Sequence, residues 1–188
     1  MTNIYLIDKN IYQSQTKFKE LPSNFIKLNN NELHNTATLC LYDILTNIYH
    51  LKDISIRYNK LHKPYLANNQ LYFNISHSNN LIVIIVSEAE CSIDIEMIKN
   101  RPNLNSMAKK LLNEEDYNHY LVDLSFFYVI WTKKEAYYKY NGNNLIFKKN
   151  YQFPDKYEVI KTMDTVHNSY FITFFYQDSQ FEVKRYEK

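Results

Sequence analysis

The chain has 188 residues, 45% of them apolar and 16% aromatic, so it can bury a sizeable core and is not a disordered protein. A net charge of +2 is too small to argue for nonspecific nucleic-acid binding, and the two cysteines, Cys40 and Cys91, fit neither a metal spacing nor a redox pair. Asp8 and Lys9 interrupt the first apolar patch, which excludes a signal peptide, and the longest uncharged apolar run, Leu81 to Val86, is far too short to cross a bilayer; a cytoplasmic protein is expected.

In chain order, Ile4 to Ile7 reads as a strand, and Asn10 to Asn30 is polar and irregular. Leu33, Ala37, Cys40, Leu41, Ile44, Leu45 and Ile48 recur at helical spacing, which predicts an amphipathic helix capped by Asn30 or Asn31, with Cys40 as a buried thiol. Leu71 to Ser76 and Leu81 to Ser87 are strand-like runs joined by a tight turn at Asn79-Asn80. A bend at Glu88-Ala89-Glu90 leads into a third strand, Ser92 to Met97. After a loop at Arg101-Pro102-Asn103, the residues Leu104, Met107, Ala108, Leu111 and Leu112 predict a second amphipathic helix that exposes Lys109 and Lys110. Leu121 to Tyr140 is apolar nearly all round at its start and predicts one buried helix, ended by Gly142. Three strands follow, Tyr157 to Met163, Tyr170 to Tyr176 and Phe181 to Tyr186. Strands and a long helix recur in each half, with the break near Glu88 to Glu90, although residue identities show no repeat.

Chemistry concentrates in three places. Trp131, Glu135 and Lys139 are spaced i, i+4, i+8, which on a helix stacks an aromatic, a carboxylate and an ammonium on one face. Asp94 and Glu96, two apart on a strand, share a face and repel each other, a cost that a divalent cation would remove. Ser76 and His77 end a strand and can donate to phosphate oxygens. Taken singly, each has a plain structural reading: a solvated strand face, a Glu135–Lys139 helical pair, a turn with local hydrogen bonds. Together, three convergent carboxylates with nearby lysines suit a divalent cation held against a polyphosphate. No glycine-rich phosphate loop is present, which removes the main support for P-loop and dinucleotide readings.

In that order and spacing, these segments resemble the 4′-phosphopantetheinyl transferases of the Sfp type, which activate carrier proteins. Lys63-Pro64 followed by Phe73-Asn-Ile-Ser-His-Ser78 is similar to the family's first motif pair. Ser92-Ile-Asp-Ile-Glu96 resembles its G-I-D-I-E strand, and Trp131 to Gly142 its W-x-x-K-E-[AS]-x-x-K-x-x-G helix. The resemblance covers about residues 60 to 146. It departs at His62 and Asn144, where glycines are usual, and at Asn29-Asn-Asn-Glu-Leu-His-Asn35, where relatives often carry a basic run with an arginine that helps grip the coenzyme A 3′-phosphate; Lys17, Lys19 and Lys27 are candidate substitutes.

The resemblance implies an α+β fold of two pseudo-twofold-related halves, each a small antiparallel sheet packed on a long helix. Residues 1–88 would form the coenzyme A nucleotide side and residues 89–188 the metal and catalytic side. It implies a monomeric enzyme of the holo-[acyl-carrier-protein] synthase type. The enzyme would move phosphopantetheine from coenzyme A to a serine of an acyl or peptidyl carrier protein and release adenosine 3′,5′-bisphosphate, with no nucleic-acid or membrane partner. Asp94, Glu96 and Glu135 would hold Mg²⁺, with Mn²⁺ as the alternative; Glu135, Asp94 and Lys139 would be catalytic. Lys63, Ser76, His77, Lys134 and Lys139 would bind coenzyme A. Trp131 is expected to pack between its helix and the Asp94 strand, and the loop Met97 to Asn105 with the end of the following helix to meet the carrier. Two rivals use the same residues: a Mg²⁺-dependent nucleotide pyrophosphate hydrolase and a non-catalytic carrier-binding module.

Overall fold

The computed structural model describes residues 1–12, 21–27, 29–60, 62–68, 71–142 and 146–187; Lys17, Lys19 and Asn144 lie outside the described residues. The first sheet has the order β4-β5-β1-β9, built from β1 (Thr2–Asp8), β4 (Tyr72–Ser78), β5 (Leu81–Ser87) and β9 (Phe181–Arg185). Two short strands, β2 (Ile56–Tyr58) and β3 (Pro64–Leu66), make a ribbon of their own. The second sheet, β6-β8-β7, joins β6 (Ser92–Met97), β7 (Tyr157–Met163) and β8 (Ser169–Phe175), all antiparallel.

Alternation along the strands builds the layers. From β1 and β5, Tyr5, Ile7, Ile82, Ile84 and Val86 pack on Cys40, Leu41, Ile44 and Leu45 of α1 (Glu32–Asn47). From the same strands, Ile4, Leu6, Leu81, Val83 and Ile85 face Ile93, Ile95, Ile172 and Phe174 of the second sheet. Both faces of β5 are therefore covered, which explains why its sequence is a continuous apolar run without alternation. The outer face of the second sheet carries α4 (Phe126–Asn141): the Thr132 and Thr173 hydroxyls lie 2.8 Å apart, and Ser92 Oγ donates to the Ala136 carbonyl at 2.7 Å. The fold is α+β, in the layer order helix, sheet, sheet, helix.

Three details differ from the sequence reading. The predicted helix from Leu121 to Tyr140 is two helices, α3 (Glu114–Val122) and α4. Asp123 accepts from the Ser125 amide and hydroxyl, both at 2.8 Å, and this local bonding competes with the helix ladder. Leu121 and Val122 consequently stand exposed and not buried. Secondly, the first sheet is not wholly antiparallel, because β9 returns from the far end of the chain to lie parallel to β1. A boundary at residues 88/89 would thus put these paired strands in different halves. Thirdly, with a single glycine in the chain, Gly142 at φ 74 ending α4, the other left-handed positions among the described residues fall on His50, His62, Asn79 and His167. α1 begins on Asn31, whose side chain accepts from the His34 amide, as one of the two caps foreseen.

Candidate functional site

The edge strands β4 and β6 of the two sheets run side by side and are joined through side chains. Asn74 Oδ1 accepts from the Ile93 amide at 3.0 Å, and Ser78 Oγ accepts from the Met97 amide at 3.1 Å. The two-residue period then sorts the rest. Asn74, Ser76 and Ser78 point at β6, while Phe73, Ile75 and His77 point toward α1. On β6, Ile93 and Ile95 enter the core, which leaves Ser92, Asp94 and Glu96 facing α4. The i, i+4, i+8 face of α4 meets them: Trp131 Nε1 donates to Glu96 Oε1 at 3.3 Å and Lys139 Nζ donates to Asp94 Oδ1 at 2.8 Å.

Asp94 is the hub. Its Oδ1 also accepts from Ser76 Oγ at 2.8 Å, and Lys139 reaches Ser76 Oγ at 3.0 Å and the Ile93 carbonyl at 3.2 Å. The other oxygen, Oδ2, is buried and has no hydrogen-bond partner among the described residues. Glu96 accepts from Ser78 Oγ at 3.2 Å, and Arg101 lies 3.5 Å from the same oxygen. The Glu135 carboxylate makes no hydrogen bond among the described residues. Burial, and then the charge of Asp94, push both Glu96 and Glu135 above the ordinary carboxylate range; Arg101, Ser78 and Trp131 pull Glu96 back, and Lys139 pulls Glu135 back.

Among the described residues, Asp94, Glu96 and Glu135 do not close into a cluster of three metal ligands. The cause is occupancy by the protein itself: Lys139 sits on Asp94, and the Trp131 indole sits on Glu96. Trp131 stands between its helix and the Asp94 strand: it is half-buried, stacks on Phe127 and donates to Glu96 of that strand. The donor set nevertheless fits a hard divalent cation. A buried carboxylate oxygen without a partner, beside two half-buried carboxyls that repel it, is a group of oxygens short of positive charge.

Lys134 was expected to bind phosphate, and the structure places it elsewhere. One residue from Glu135 is a rotation of about 100° around the helix. Its fully buried ammonium donates to the Leu111 and Lys148 carbonyls at 2.7 Å and lies 3.4 Å from that of Ile146, with the Tyr151 ring 4.0 Å away. Burial lowers its pKa to about 8, with Asp116 acting in the opposite sense. Lys134 therefore ties the end of α2 (Leu104–Leu111) and the 146–148 segment to α4.

Beside the two partners of Asp94 lies a cavity of about 340 Å³, lined among others by Ser76, His77 and Lys139. It adjoins a second cavity of about 230 Å³ lined by Lys63, Asn74 and Tyr138; the two share His62, Pro64, Ile75 and Lys139. Lys63 donates to the Cys91 carbonyl at 3.1 Å, and burial lowers its pKa. Burial also lowers that of His77, and Lys139 and His34 act in the same direction. Ser76, His77, Lys63 and Lys139 thus border two adjoining cavities, and Asp94 meets their edge through its bonds to Ser76 and Lys139. Sequence reasoning missed His34, Thr38 and Tyr58 on the cavity wall, and Ser78 and Arg101 on Glu96. Ser78 carried a signal, being two residues from Ser76 on the same strand face; His34 and Tyr58 carried none.

The family described as the 4′-phosphopantetheinyl transferase superfamily matches residues 90–188. The 4′-phosphopantetheinyl transferase AcpT of Salmonella typhi is 34% identical over 94 residues, 46% of this chain and 49% of that protein. A 4′-phosphopantetheinyl transferase of Bacillus subtilis is 34% identical over 98 residues, 49% of this chain and 43% of that protein. A putative 4′-phosphopantetheinyl transferase of Haemophilus influenzae is 24% identical over 165 residues, 82% of this chain and 67% of that protein. The matched segment thus spans about half the length of the Salmonella and Bacillus relatives.

Proposed function

The chain belongs to the 4′-phosphopantetheinyl transferase superfamily, and from that premise we propose that it transfers the phosphopantetheine arm of coenzyme A to a serine of an acyl or peptidyl carrier protein. The observation that carries the reading is the Ser76–Asp94–Lys139 cluster, with its unpartnered Asp94 oxygen, at the edge of a cleft, and with Glu96 and Glu135 close enough to feel the charge of Asp94. Phosphoryl-type transfer needs positioning and charge neutralisation more than covalent help.

In this reading the serine oxygen attacks the phosphorus that bears the pantetheine. A P–O bond to serine forms, the P–O bond to the nucleotide breaks, and adenosine 3′,5′-bisphosphate leaves. Glu135, with its raised pKa and free carboxylate, takes the serine proton directly or through water. Lys139 sits where it can move from Asp94 to a phosphate oxygen and neutralise charge on the leaving side. Lys63, Ser76 and His77 hold the pyrophosphate and nucleotide end. Asp94, Glu96 and Glu135 are the residues that would hold Mg²⁺, or Mn²⁺ in its place. Such an ion supplies charge neutralisation and alignment of the pyrophosphate. We further propose a monomer acting in the cytoplasm; among the described residues no helix is long and apolar enough to cross a membrane.

Incubation of candidate apo-carriers with coenzyme A and Mg²⁺, followed by mass spectrometry, tests the proposal: the carrier should gain the mass of the phosphopantetheine arm. Release of adenosine bisphosphate without any carrier would select the hydrolase instead. No coenzyme A binding by calorimetry, with carrier binding retained, would select the non-catalytic module.

A further inference from the structure

Two of the three carboxylates carry a cation of the protein's own: Lys139 sits on Asp94 at 2.8 Å, and Arg101 lies 3.5 Å from Glu96. Lys139 borders the cavities, whereas Arg101 stands in the loop after β6, at the other end of the carboxylate row. That loop is pinned at three points. The Ile98 amide donates to the Ser169 carbonyl at 2.8 Å, the Tyr128 hydroxyl to the Lys99 carbonyl at 2.6 Å, and the Leu104 amide to the Arg101 carbonyl at 3.0 Å. The ring of the buried Tyr128 lies against the guanidinium, 5.7 Å from it. Arg101 is therefore placed by contacts that do not depend on Glu96. Its bond to Glu96 is loose by comparison: a charge-assisted hydrogen bond is about 2.7–2.9 Å long, and both side chains reach solvent. Its Nε is buried and has no hydrogen-bond partner among the described residues. A cation fixed in place, loosely paired and short of an acceptor is suited to exchange its partner.

We infer that Arg101 is a removable counter-ion of Glu96: it competes with a divalent cation for that carboxylate and, once displaced, offers its guanidinium to a carboxylate of the acceptor protein, so that cation and acceptor favour each other's binding. The inference rests on the transferase reading above and adds to it the residue through which the two partners are coupled. Position supports the acceptor side. Tyr128, which carries Arg101, and Lys139 are eleven residues apart on α4, about 16 Å along its axis. In-line transfer sets nucleophile and leaving group on opposite sides of the phosphorus, so with the nucleotide at the Lys139 end the acceptor comes from the Arg101 end. Charge supports it too. Met97 to Leu112 holds Lys99, Arg101, Lys109 and Lys110 and no acidic residue, so a displaced Arg101 has no carboxylate of its own segment to turn to. Coupling of this kind is reciprocal: whatever factor the cation adds to acceptor affinity, the acceptor adds to cation affinity.

The test is run without coenzyme A, so that no transfer takes place. Mn²⁺ is titrated by calorimetry into wild type, Arg101→Gln and Arg101→Lys. An apo-carrier that gains the arm in the transfer assay is then titrated into each, in EDTA and in Mn²⁺. Arg101→Gln should bind Mn²⁺ about threefold to fivefold more tightly than wild type, the scale of a part-exposed ion pair that no longer competes. A merely structural role would weaken the metal instead. The wild-type protein should bind the carrier about threefold to fivefold more tightly in Mn²⁺ than in EDTA, and Arg101→Gln by less than about twofold. Arg101→Lys keeps the charge and should stay near wild type in both measurements, which shows that charge is what matters and that the position tolerates substitution. If Arg101→Gln binds Mn²⁺ no more tightly than wild type, or keeps the full Mn²⁺ dependence of carrier binding, the inference is overturned and the transferase reading stands. If no apo-carrier gains the arm, the transferase reading itself fails, and the coupling with it.

Discussion

Replacing Asp94 by Asn separates the cluster's stability from its chemistry. The substitution keeps the shape and an acceptor for Ser76 and Lys139, but removes the charge that Lys139 meets at 2.8 Å. Lys139 is about a quarter exposed and keeps Ser76 and the Ile93 carbonyl, so the loss is that of a charge-assisted bond reduced to a neutral one, about 1 kcal/mol. Against that loss, Asp94 is the leading charge that pushes Glu96 and Glu135 up, so its neutralisation relieves repulsion of the opposite sign. Stability without metal should therefore change by less than about 1 kcal/mol. Metal binding should respond differently. At a Mg²⁺ concentration ten times its Kd, wild type gains about 1.4 kcal/mol, or roughly 3–6 °C in Tm for a chain of this size. Asp94→Asn should show no such gain and should lose about 10²- to 10⁴-fold in transfer rate. Calorimetric melts with EDTA and with Mg²⁺, beside the mass-spectrometric assay, check this. A Mg²⁺-dependent rise in Tm equal to that of wild type would refute the metal assignment. A loss of more than about 3 kcal/mol in EDTA would show that Asp94 is chiefly structural.

The remaining predictions concern neighbouring groups. Trp131→Ala removes the stacking on Phe127 and the donor to Glu96, and should cost about 2 kcal/mol and lower the rate; an unchanged melt would show that the indole carries no packing. Lys134→Met leaves the Leu111 and Lys148 carbonyls unpaired and should cost about 2–4 kcal/mol, while its Km for coenzyme A stays as in wild type; a raised coenzyme A Km without loss of stability would return Lys134 to phosphate binding. His77 has a lowered pKa because it is buried, so the unfolded chain binds more protons; its contribution to stability is present above about pH 6.5 and lost as pH falls toward the folded value. The acid limb of the stability profile should accordingly flatten in His77→Gln, as read by urea melts from pH 5 to pH 8. Lys109→Glu with Lys110→Glu reverses charge on the exposed side of α2 and should raise the carrier Km and weaken its salt dependence, without moving the coenzyme A Km; an unchanged carrier Km at low salt would place docking elsewhere.

Much of the fold was legible because its signals are local. The apolar stripe of α1, the strand runs at Tyr72–Ser78, Leu81–Ser87 and Ser92–Met97, and the stop at Gly142 each depend on residues within one element. The same periodicity told which side chains share a face: Asp94 with Glu96, and Trp131 with Glu135 and Lys139. Periodicity does not say what lies across from a face. Lys134 and Lys139 look alike in sequence, yet a rotation about the α4 axis buries the first on backbone carbonyls and sets the second on Asp94. The break at Asp123 hides inside an apolar run because a side-chain bond to Ser125 outweighs propensity. β9 finds β1 across nearly the whole chain, and the β4–β6 seam that joins Ser76 to Asp94 and Ser78 to Glu96 is made of side-chain bonds between two sheets. His34 and His62 face His77 only because α1 and the β2–β3 turn close over β4. Spacing along one chain segment set most of the elements and the chemistry each carries, though not the α3–α4 break or the short β2–β3 ribbon. Which groups meet was decided by the packing of distant segments, whose contacts leave no periodic trace in the order of residues.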